Sequence, residues 1–180
     1  MATYGVQASL KHLPGHGRAN LDSHHDLPVI DVGMDELKVD LAPFIALRDL
    51  PWGIVSHLLF PKLDGDEPAT TSGKIIKDVV RDAIGFKGLL VTDDISMKAL
   101  KAPVEISSAK ALAAGCDIVC HCNGQMGEMA PIADAIGPMD GALAKRFEAI
   151  RLPVVSKPFA HIADLAADID RRVAPLIAQA

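Results

Sequence analysis

Apolar and polar positions follow two different rhythms along the chain. Short continuous runs of Val, Ile and Leu are typical of buried strands, whereas apolar residues three and four positions apart indicate amphipathic helices. The short runs predict four strands, at residues 6–10, 53–59, 88–92 and 117–122. The helical spacing predicts helices at residues 41–50, 72–84, 104–114, 126–136, 141–150 and 159–178, the first of them with Asp40 as its N-cap.

Strands and helices in regular succession predict an α/β fold with a parallel sheet. Four βα units would occupy residues 1–150, which is half the number that closes a (β/α)8 barrel. Residues 151–180 are expected to form a C-terminal helical extension. Because four strands cannot close on themselves, the chain is expected to be either an open sheet with two exposed edges or half of a larger barrel.

Composition narrows the function classes. The chain has 180 residues, of which 49% are apolar and 23% charged, as in a globular domain with a sizeable core. A net charge of −5 without a basic stripe argues against nucleic-acid binding. The absence of a run of about 18 apolar residues and of a secretory signal pattern predicts no membrane partner. Three clustered cysteines favour a reducing compartment, so a cytoplasmic location is expected.

Unusual polar residues sit at the ends of the predicted strands, where parallel strands of an α/β fold present their ligand-binding rim. They are Lys11 and His12, His57, Asp93 and Asp94, and Asn123. Neighbouring residues at a strand end point to opposite sides, so one aspartate can face the rim while the other makes structural bonds. Asp93 is predicted to be the functional carboxylate. Asp94 is predicted to cap a helix that begins near residue 95.

Four of the seven histidines fall within residues 11–25, KHLPGHGRANLDSHH. Asp22 and His24 are two positions apart in this loop, so the carboxylate can orient one ring nitrogen and leave the other for proton transfer. Two alternatives stay open, a solvated polar loop and a metal site. The metal ligands would be His12, His16, His24, His25 and Asp26, although no HxH or HExxH spacing occurs.

The cysteines of the fourth predicted strand are a weaker candidate for chemistry. Cys120 and Cys122 would share one face of the strand and His121 would lie on the other, so the three side chains cannot converge on one ion. Cys120 and Cys122 are predicted to be buried free thiols.

The ordered motifs KHLPGHG, DSH, LAPF, SHLLFPKLD, GFKGLLVTDDISM and AAGCDIVCHCNG resemble the bacterial β-N-acetylglucosaminidases of glycoside hydrolase family 3. The resemblance covers residues 6–123 and continues more weakly to about residue 150. Family members carry a complete (β/α)8 TIM-barrel domain of roughly twice this length, and this chain resembles its C-terminal half. The resemblance therefore implies a partial barrel, and the chain is expected to be a fragment.

The resemblance also implies an activity and a set of roles. It implies a retaining glycosidase that releases terminal β-linked N-acetylglucosamine, notably from muropeptides during peptidoglycan recycling, with no metal or organic cofactor. Asp93 corresponds to the catalytic nucleophile, His24 to the general acid/base and Asp22 to its partner in a dyad. Lys11 and His12 correspond to residues that hydrogen-bond the sugar hydroxyls. An imidazole suits the acid/base role because its ordinary pKa is about 6.5.

The chain has no counterpart of the N-terminal half of the family's barrel. The N-terminal half of the family's barrel supplies an aspartate and arginines that bind the sugar, so the isolated chain is expected to have little or no activity. Its open sheet edges predict self-association or docking of a complementary N-terminal half. Residues 101–108 lack the family's arginine-bearing pattern. Two other functions stay open, a metal-dependent TIM-barrel hydrolase using the histidine-rich loop and a non-catalytic remnant.

Overall fold

Four parallel strands form one sheet in the computed structural model, which describes residues 6–23, 25–151 and 171. The strands are β1 (Ser9–Leu13), β2 (Trp52–Val55), β3 (Leu89–Asp94) and β4 (Ile118–Cys120), and they pair in chain order. The helices of the described part are α1 (Met34–Ala46), α2 (Ile75–Ala83), α3 (Val104–Ala114), α4 (Met126–Ile136) and α5 (Gly141–Ile150). The predicted α/β fold with four parallel βα units is confirmed.

The strand register places the candidate residues at the carboxyl end of the sheet. In β1, Leu13 lies beside Val55 of β2, and in β3 Asp94 lies beside Cys120 of β4. The first strand was predicted at residues 6–10, but pairing with β2 continues to Leu13. Lys11 and His12 therefore lie inside β1 rather than after it.

The first helix begins earlier than its predicted range of 41–50. It starts at Met34, where the Glu36 carboxylate accepts a hydrogen bond from Gly33 N–H at 3.2 Å. A carboxylate in the first turn also interacts favourably with the helix dipole. Asp40, predicted to be the N-cap, instead lies within α1 and accepts a hydrogen bond from Arg18 Nε at 2.7 Å.

The second helix, α2, is wound with the wider hydrogen-bonding pattern of a π-helix, as shown by the bond from Ile84 N–H to Val79 O at 2.9 Å. Ser72 Oγ accepts a hydrogen bond from Ile75 N–H at 2.9 Å and so satisfies a donor at the start of the helix. Gly85, with φ of 77°, follows its end as predicted. The predicted bounds of α3, α4 and α5 are confirmed.

The hydrophobic core joins β1, β2 and β3 to α1, α2 and the segment that follows β2. Its largest fully buried apolar side chains include Leu13, Leu37, Leu41, Leu58, Phe60, Ile75, Ile84, Phe86 and Leu90. Gly88 allows the chain to enter β3, because a Cβ at this position would lie 2.6 Å from Pro51 O. That separation is well inside van der Waals contact, so no larger residue fits without a backbone shift.

A charged network joins the amino ends of two strands to two helices. Arg81 of α2 donates hydrogen bonds to Phe86 O at 3.1 Å and Gly88 O at 2.8 Å, and its other terminal nitrogen binds Asp117 Oδ2 at 3.1 Å. Arg146 of α5 binds the other oxygen of the same carboxylate at 2.5 Å. The network therefore lies where β3 and β4 begin, at the end of the sheet opposite the carboxyl ends of the strands.

Residues 7–151 form one compact unit. Most of the predicted C-terminal helical extension at 151–180, including the helix predicted at 159–178, lies outside the described residues, so the predicted domain division stays a prediction. Within the part of the chain that the structure describes, no helix is long and apolar enough to cross a bilayer.

Candidate active site

His12 and Asp93 meet at the carboxyl end of the sheet although their strands are separated by β2. His12 Nε2 lies 3.6 Å from Asp93 Oδ2, and the two side chains are 32% and 24% exposed. Asp93 Oδ1 also accepts a hydrogen bond from Asp94 N–H at 2.9 Å, which fixes one oxygen and turns the other toward His12. A partly exposed carboxylate with a neighbouring imidazole can act as a nucleophile beside a hydrogen-bonding group.

Lys11 is exposed next to His12, and the peptide bond between these two residues is cis. Both side chains line an open cleft of about 460 Å³, together with Gly15, His16 and Phe44 and other residues of α1. The His16 ring packs edge-on against the His12 ring, with centroids 5.8 Å apart. The predicted sugar-binding pair therefore borders a cleft on the β1 side of Asp93.

Asp94 has a structural role, but it is not the helix N-cap predicted from the sequence. Residues 95–99 form turns, and the Asp94 carboxylate accepts hydrogen bonds from Ser96 N–H, Ser96 Oγ and Cys122 N–H at 3.2, 2.8 and 3.1 Å. Partial burial raises the pKa of Asp94, but these hydrogen bonds outweigh it and hold the pKa below the ordinary value. Ionised Asp94 thus ties the end of β3 to the segment that follows β4.

His57 is a site residue whose role the sequence did not reveal. It is fully buried two positions beyond β2, with Nε2 3.0 Å from Asp94 O and Nδ1 2.7 Å from Thr70 Oγ1. Because a carbonyl oxygen only accepts, Nε2 carries the proton. Thr70 Oγ1 lies 2.8 Å from Ser56 O as well, so in the neutral ring its single proton is shared between Nδ1 and the Ser56 carbonyl. Burial lowers the pKa of His57, although the Asp94 carbonyl and the carboxylates of Asp93 and Asp94 oppose the shift. A neutral imidazole therefore supports the backbone directly beside the candidate nucleophile.

The loop that carries the predicted dyad is held at three places. Arg18 binds Asp40 of α1, Asp26 Oδ1 binds Lys101 Nζ at 2.8 Å, and Pro28 O accepts a hydrogen bond from Leu59 N–H at 3.0 Å.

Between these anchors the Asp22 carbonyl accepts hydrogen bonds from the N–H groups of His25 and Asp26, which closes a tight turn. Asp22 is exposed to solvent. His24 lies outside the described residues, so the Asp22–His24 dyad stays a prediction. The ion pair of Asp26 with Lys101 links the turn to the loop that follows β3, the strand of Asp93.

The metal interpretation of the histidine-rich loop gains no support from the described residues, among which no group of three or more His, Cys, Asp or Glu side chains could hold an ion. Outside that loop, His121 Nε2 lies 2.8 Å from Glu128 Oε2, and Asn123 Nδ2 donates to the same oxygen at 2.8 Å. This pairing could not be predicted from the sequence, because Glu128 belongs to α4 and only the fold brings it to the end of β4.

The cysteines are free thiols as predicted, but only Cys116 is buried. Burial raises the pKa of the Cys116 thiol to about 12. Cys120 is half-buried and Cys122 exposed, and their Sγ atoms lie 3.5 Å apart, so the prediction that they share a face is confirmed and the prediction that both are buried is wrong. The reason is that β4 ends at Cys120, which leaves the next residues at the rim.

Known proteins are similar to this chain over most of its length. The profile described as Glycosyl hydrolase family 3 N terminal domain matches residues 1–147. A Beta-hexosaminidase of Bordetella parapertussis is 37% identical over 128 residues, which are 68% of this chain and 36% of that protein.

Two solved structures are similar over most of the described unit. A glycoside hydrolase family 3 beta-N-acetylglucosaminidase from Paenibacillus sp. str. FPU-7 has a TM-score of 0.72 and 30% identity, over 84% of this chain and 31% of that chain. NagZ from Neisseria gonorrhoeae, solved in complex with N-trifluoroacetyl-D-glucosamine, has a TM-score of 0.70 and 32% identity, over 82% of this chain and 44% of that chain.

This chain thus spans less than half the length of each of these proteins, in agreement with a fold that holds four βα units. The likeness is not confined to a short motif, because the matched residues include all four strands and every described residue of the candidate site. With its family profile matched over residues 1–147 of 180, the chain belongs to glycosyl hydrolase family 3.

Proposed function

We propose that this chain carries the nucleophile half of a retaining β-N-acetylglucosaminidase site. The observation that carries the proposal is the carboxylate of Asp93, which is partly exposed at the carboxyl end of β3 and lies 3.6 Å from His12 beside an open cleft. A carboxylate in this place can attack an anomeric carbon, and family membership makes glycoside cleavage the reaction to test.

The proposed mechanism has two displacements. Asp93 attacks the anomeric carbon and forms a glycosyl-enzyme, while His24 donates a proton to the departing oxygen. His24 then removes a proton from the water that hydrolyses the intermediate, and Asp22 orients its ring and stabilises the imidazolium form. Lys11 and His12 hydrogen-bond sugar hydroxyls. No step in this scheme requires a metal or an organic cofactor.

The proposed substrate is a terminal β-linked N-acetylglucosamine. This choice is supported by the names of the relatives, a Beta-hexosaminidase and a beta-N-acetylglucosaminidase, and by the N-trifluoroacetyl-D-glucosamine bound to the N. gonorrhoeae protein. We further propose muropeptides as the natural glycosides, peptidoglycan recycling as the process and the cytoplasm as the location.

We also propose that residues 1–180 alone hold an incomplete sugar site. The support is the span of this chain, which covers 36% of the curated relative, together with the two open edges of its four-stranded sheet. An N-terminal half-barrel, or a second copy of this chain, would complete the site by pairing with β1 and β4.

The test uses residues 1–180 and the longest natural form that contains them, assayed with a chromogenic β-N-acetylglucosaminide. The longer form is expected to turn over and to give a covalent glycosyl adduct at Asp93 with a slow substrate, whereas residues 1–180 alone stay near background. Asp93→Ala abolishes turnover, and Asp134→Ala, which alters an exposed carboxylate of α4, leaves it unchanged. An adduct on another residue, or full turnover by residues 1–180, contradicts the proposal.

Two further comparisons separate the alternatives. His24→Ala is expected to retain slow turnover of substrates with good leaving groups and to lose natural glycosides, whereas equal loss on both would contradict its role as acid. Treatment with a chelator is expected to leave the rate unchanged. A rate that falls with the chelator and returns with added metal would favour the metal-dependent hydrolase.

A further inference from the structure

Two thiols lie in contact at the end of β4, beside the candidate site and outside its proposed chemistry. The Sγ atoms of Cys120 and Cys122 are 3.5 Å apart, with Cys122 exposed and Cys120 half-buried. The third cysteine, Cys116, is buried, and its thiol points to Thr70 O at 3.7 Å. The pair is therefore distinct from the buried thiol in both position and access to solvent.

We propose that Cys120 and Cys122 are an oxidisable dithiol that closes to a disulfide with a peroxide and thereby loosens the contact that holds Asp94 beside the candidate nucleophile. The inference does not depend on the glycosidase proposal, because it concerns a modification and a local contact that can be measured in residues 1–180.

The reaction balances with peroxide as the oxidant. The Cys122 thiol releases its proton, its sulfur attacks one peroxide oxygen and the O–O bond breaks, which gives a sulfenic acid and hydroxide. The hydroxide takes up the released proton and leaves as the first water. The Cys120 sulfur then attacks the Cys122 sulfur, the S–O bond breaks, the Cys120 proton goes to the leaving oxygen, and a second water departs. Two thiols lose two electrons in total, and hydrogen peroxide is reduced to two waters.

Exposure decides which sulfur reacts first. Burial and the hydrogen bond with Cys122 raise the pKa of the Cys120 thiol to about 11, so this thiol is protonated near neutral pH and reacts poorly with peroxide. Cys122 is open to solvent and is the site of attack. Cys120, in contact with Cys122 at 3.5 Å, then acts as the resolving thiol.

The backbone of Cys120 is fixed, so closure of the disulfide moves Cys122. Cys120 N–H donates to Thr92 Oγ1 at 2.9 Å, and Cys120 O accepts from Ile95 N–H at 2.9 Å. A disulfide needs the sulfurs to approach from 3.5 Å to about 2.05 Å. Cys122 N–H, which donates to Asp94 Oδ1 at 3.1 Å, is the group that this movement displaces.

The consequence reaches the candidate nucleophile through one residue. Asp94 follows Asp93 directly, its N–H binds the Asp93 carboxylate, and its carbonyl accepts from His57. Loss of the hydrogen bond from Cys122 removes one of the three hydrogen bonds that hold the Asp94 side chain. Oxidation of the dithiol would therefore loosen the end of β3.

The chemical test uses residues 1–180, reduced, freed of reductant and exposed to hydrogen peroxide. Alkylation after denaturation is expected to modify three cysteines before oxidation and Cys116 alone afterwards, with the full number restored by dithiothreitol. Cys116→Ser should still form the disulfide, whereas Cys120→Ser and Cys122→Ser should not. Three alkylated cysteines after oxidation, irreversible higher oxides of Cys122, or disulfide-linked dimers would each overturn the proposal.

The coupling to Asp94 has its own readout in the same samples. Amide hydrogen exchange of Cys122, followed by NMR, is expected to rise by about tenfold or more on oxidation, the factor expected when a hydrogen bond to a charged group is lost. Dithiothreitol should reverse the change, and the oxidised Cys116→Ser variant should show it equally. Unchanged exchange in a protein shown to hold the disulfide would overturn the proposed effect on Asp94.

Discussion

Protonation of a buried imidazole is expected to set part of the pH dependence of stability. His57 is fully buried, donates from Nε2 to Asp94 O and keeps a lowered pKa because burial disfavours the charged ring. In the unfolded chain the same imidazole has an ordinary pKa near 6.5. Below that pH the unfolded state binds a proton that the folded state does not, so the free energy of unfolding falls as the pH falls.

The size of the effect follows from this linkage. If the folded ring stays neutral between about pH 7.5 and about pH 5.5, protonation of the unfolded chain lowers the free energy of unfolding by about 1.4 kcal/mol. This value is the upper limit, because a folded ring that begins to protonate within the interval reduces it. Above about pH 7.5 the contribution is constant, since neither state is then protonated.

Urea unfolding of residues 1–180 at the two pH values provides the assay, with His57→Gln as the variant. A glutamine amide can still donate to Asp94 O but does not titrate, so the wild type should lose up to about 1.4 kcal/mol more than His57→Gln as the pH is lowered. His25→Gln changes an exposed imidazole and should follow the wild type.

A difference between wild type and His57→Gln that does not change with pH would refute the reasoning. Should His57→Gln fail to fold, NMR titration of the wild-type His57 ring reports the same protonation directly. A ring that protonates at or above pH 6.5 would refute it equally.

The remaining predictions concern packing, loop anchoring and a helix start. Gly88→Ala should lower the free energy of unfolding by about 1–3 kcal/mol, because the added methyl meets a carbonyl oxygen. Gly65→Ala adds a methyl in open space and should leave the free energy of unfolding unchanged. Equal urea midpoints for the two variants would contradict this prediction. Lys101→Glu should speed amide exchange in the loop held by Asp26, and Lys101→Arg should preserve it; exchange equally slow in both would exclude an anchoring role. Ser72→Ala should cost about 1 kcal/mol by removing the hydroxyl that accepts an N–H at the start of α2, and an unchanged thermal midpoint would argue against that contribution.

Hydrophobic spacing was sufficient to predict the alternation of strands and helices, because each short apolar run contributes residues to a paired strand, although β4 is only half-buried. It was weaker at element ends. The predicted N-cap Asp40 lies within α1, since an aspartate that binds an arginine from another segment looks the same in sequence as one that caps a helix. Lys11 and His12 lie within β1, because strand pairing continued past the last residue of the predicted run.

Some residues of the candidate site could be predicted from the sequence and others could not. Asp93 could be chosen as a candidate from its place after an apolar run, and in the structure it lies at the end of β3, 3.6 Å from His12. The role of His57 could not be predicted, because its partners, Thr70 and the carbonyl of Asp94, come from segments that only the fold brings together. The Lys101–Asp26 ion pair, whose residues lie 75 positions apart, could not be predicted for the same reason.

The network of Arg81, Asp117 and Arg146 lies at the end of the sheet where the strands begin, away from the residues proposed to do chemistry. The ion pairs that hold the strands together and the residues proposed to react thus lie at opposite ends of the same sheet. A protein engineer could therefore graft loops of other lengths at the carboxyl end of the strands, while the ion pairs at the amino end keep the strands in register.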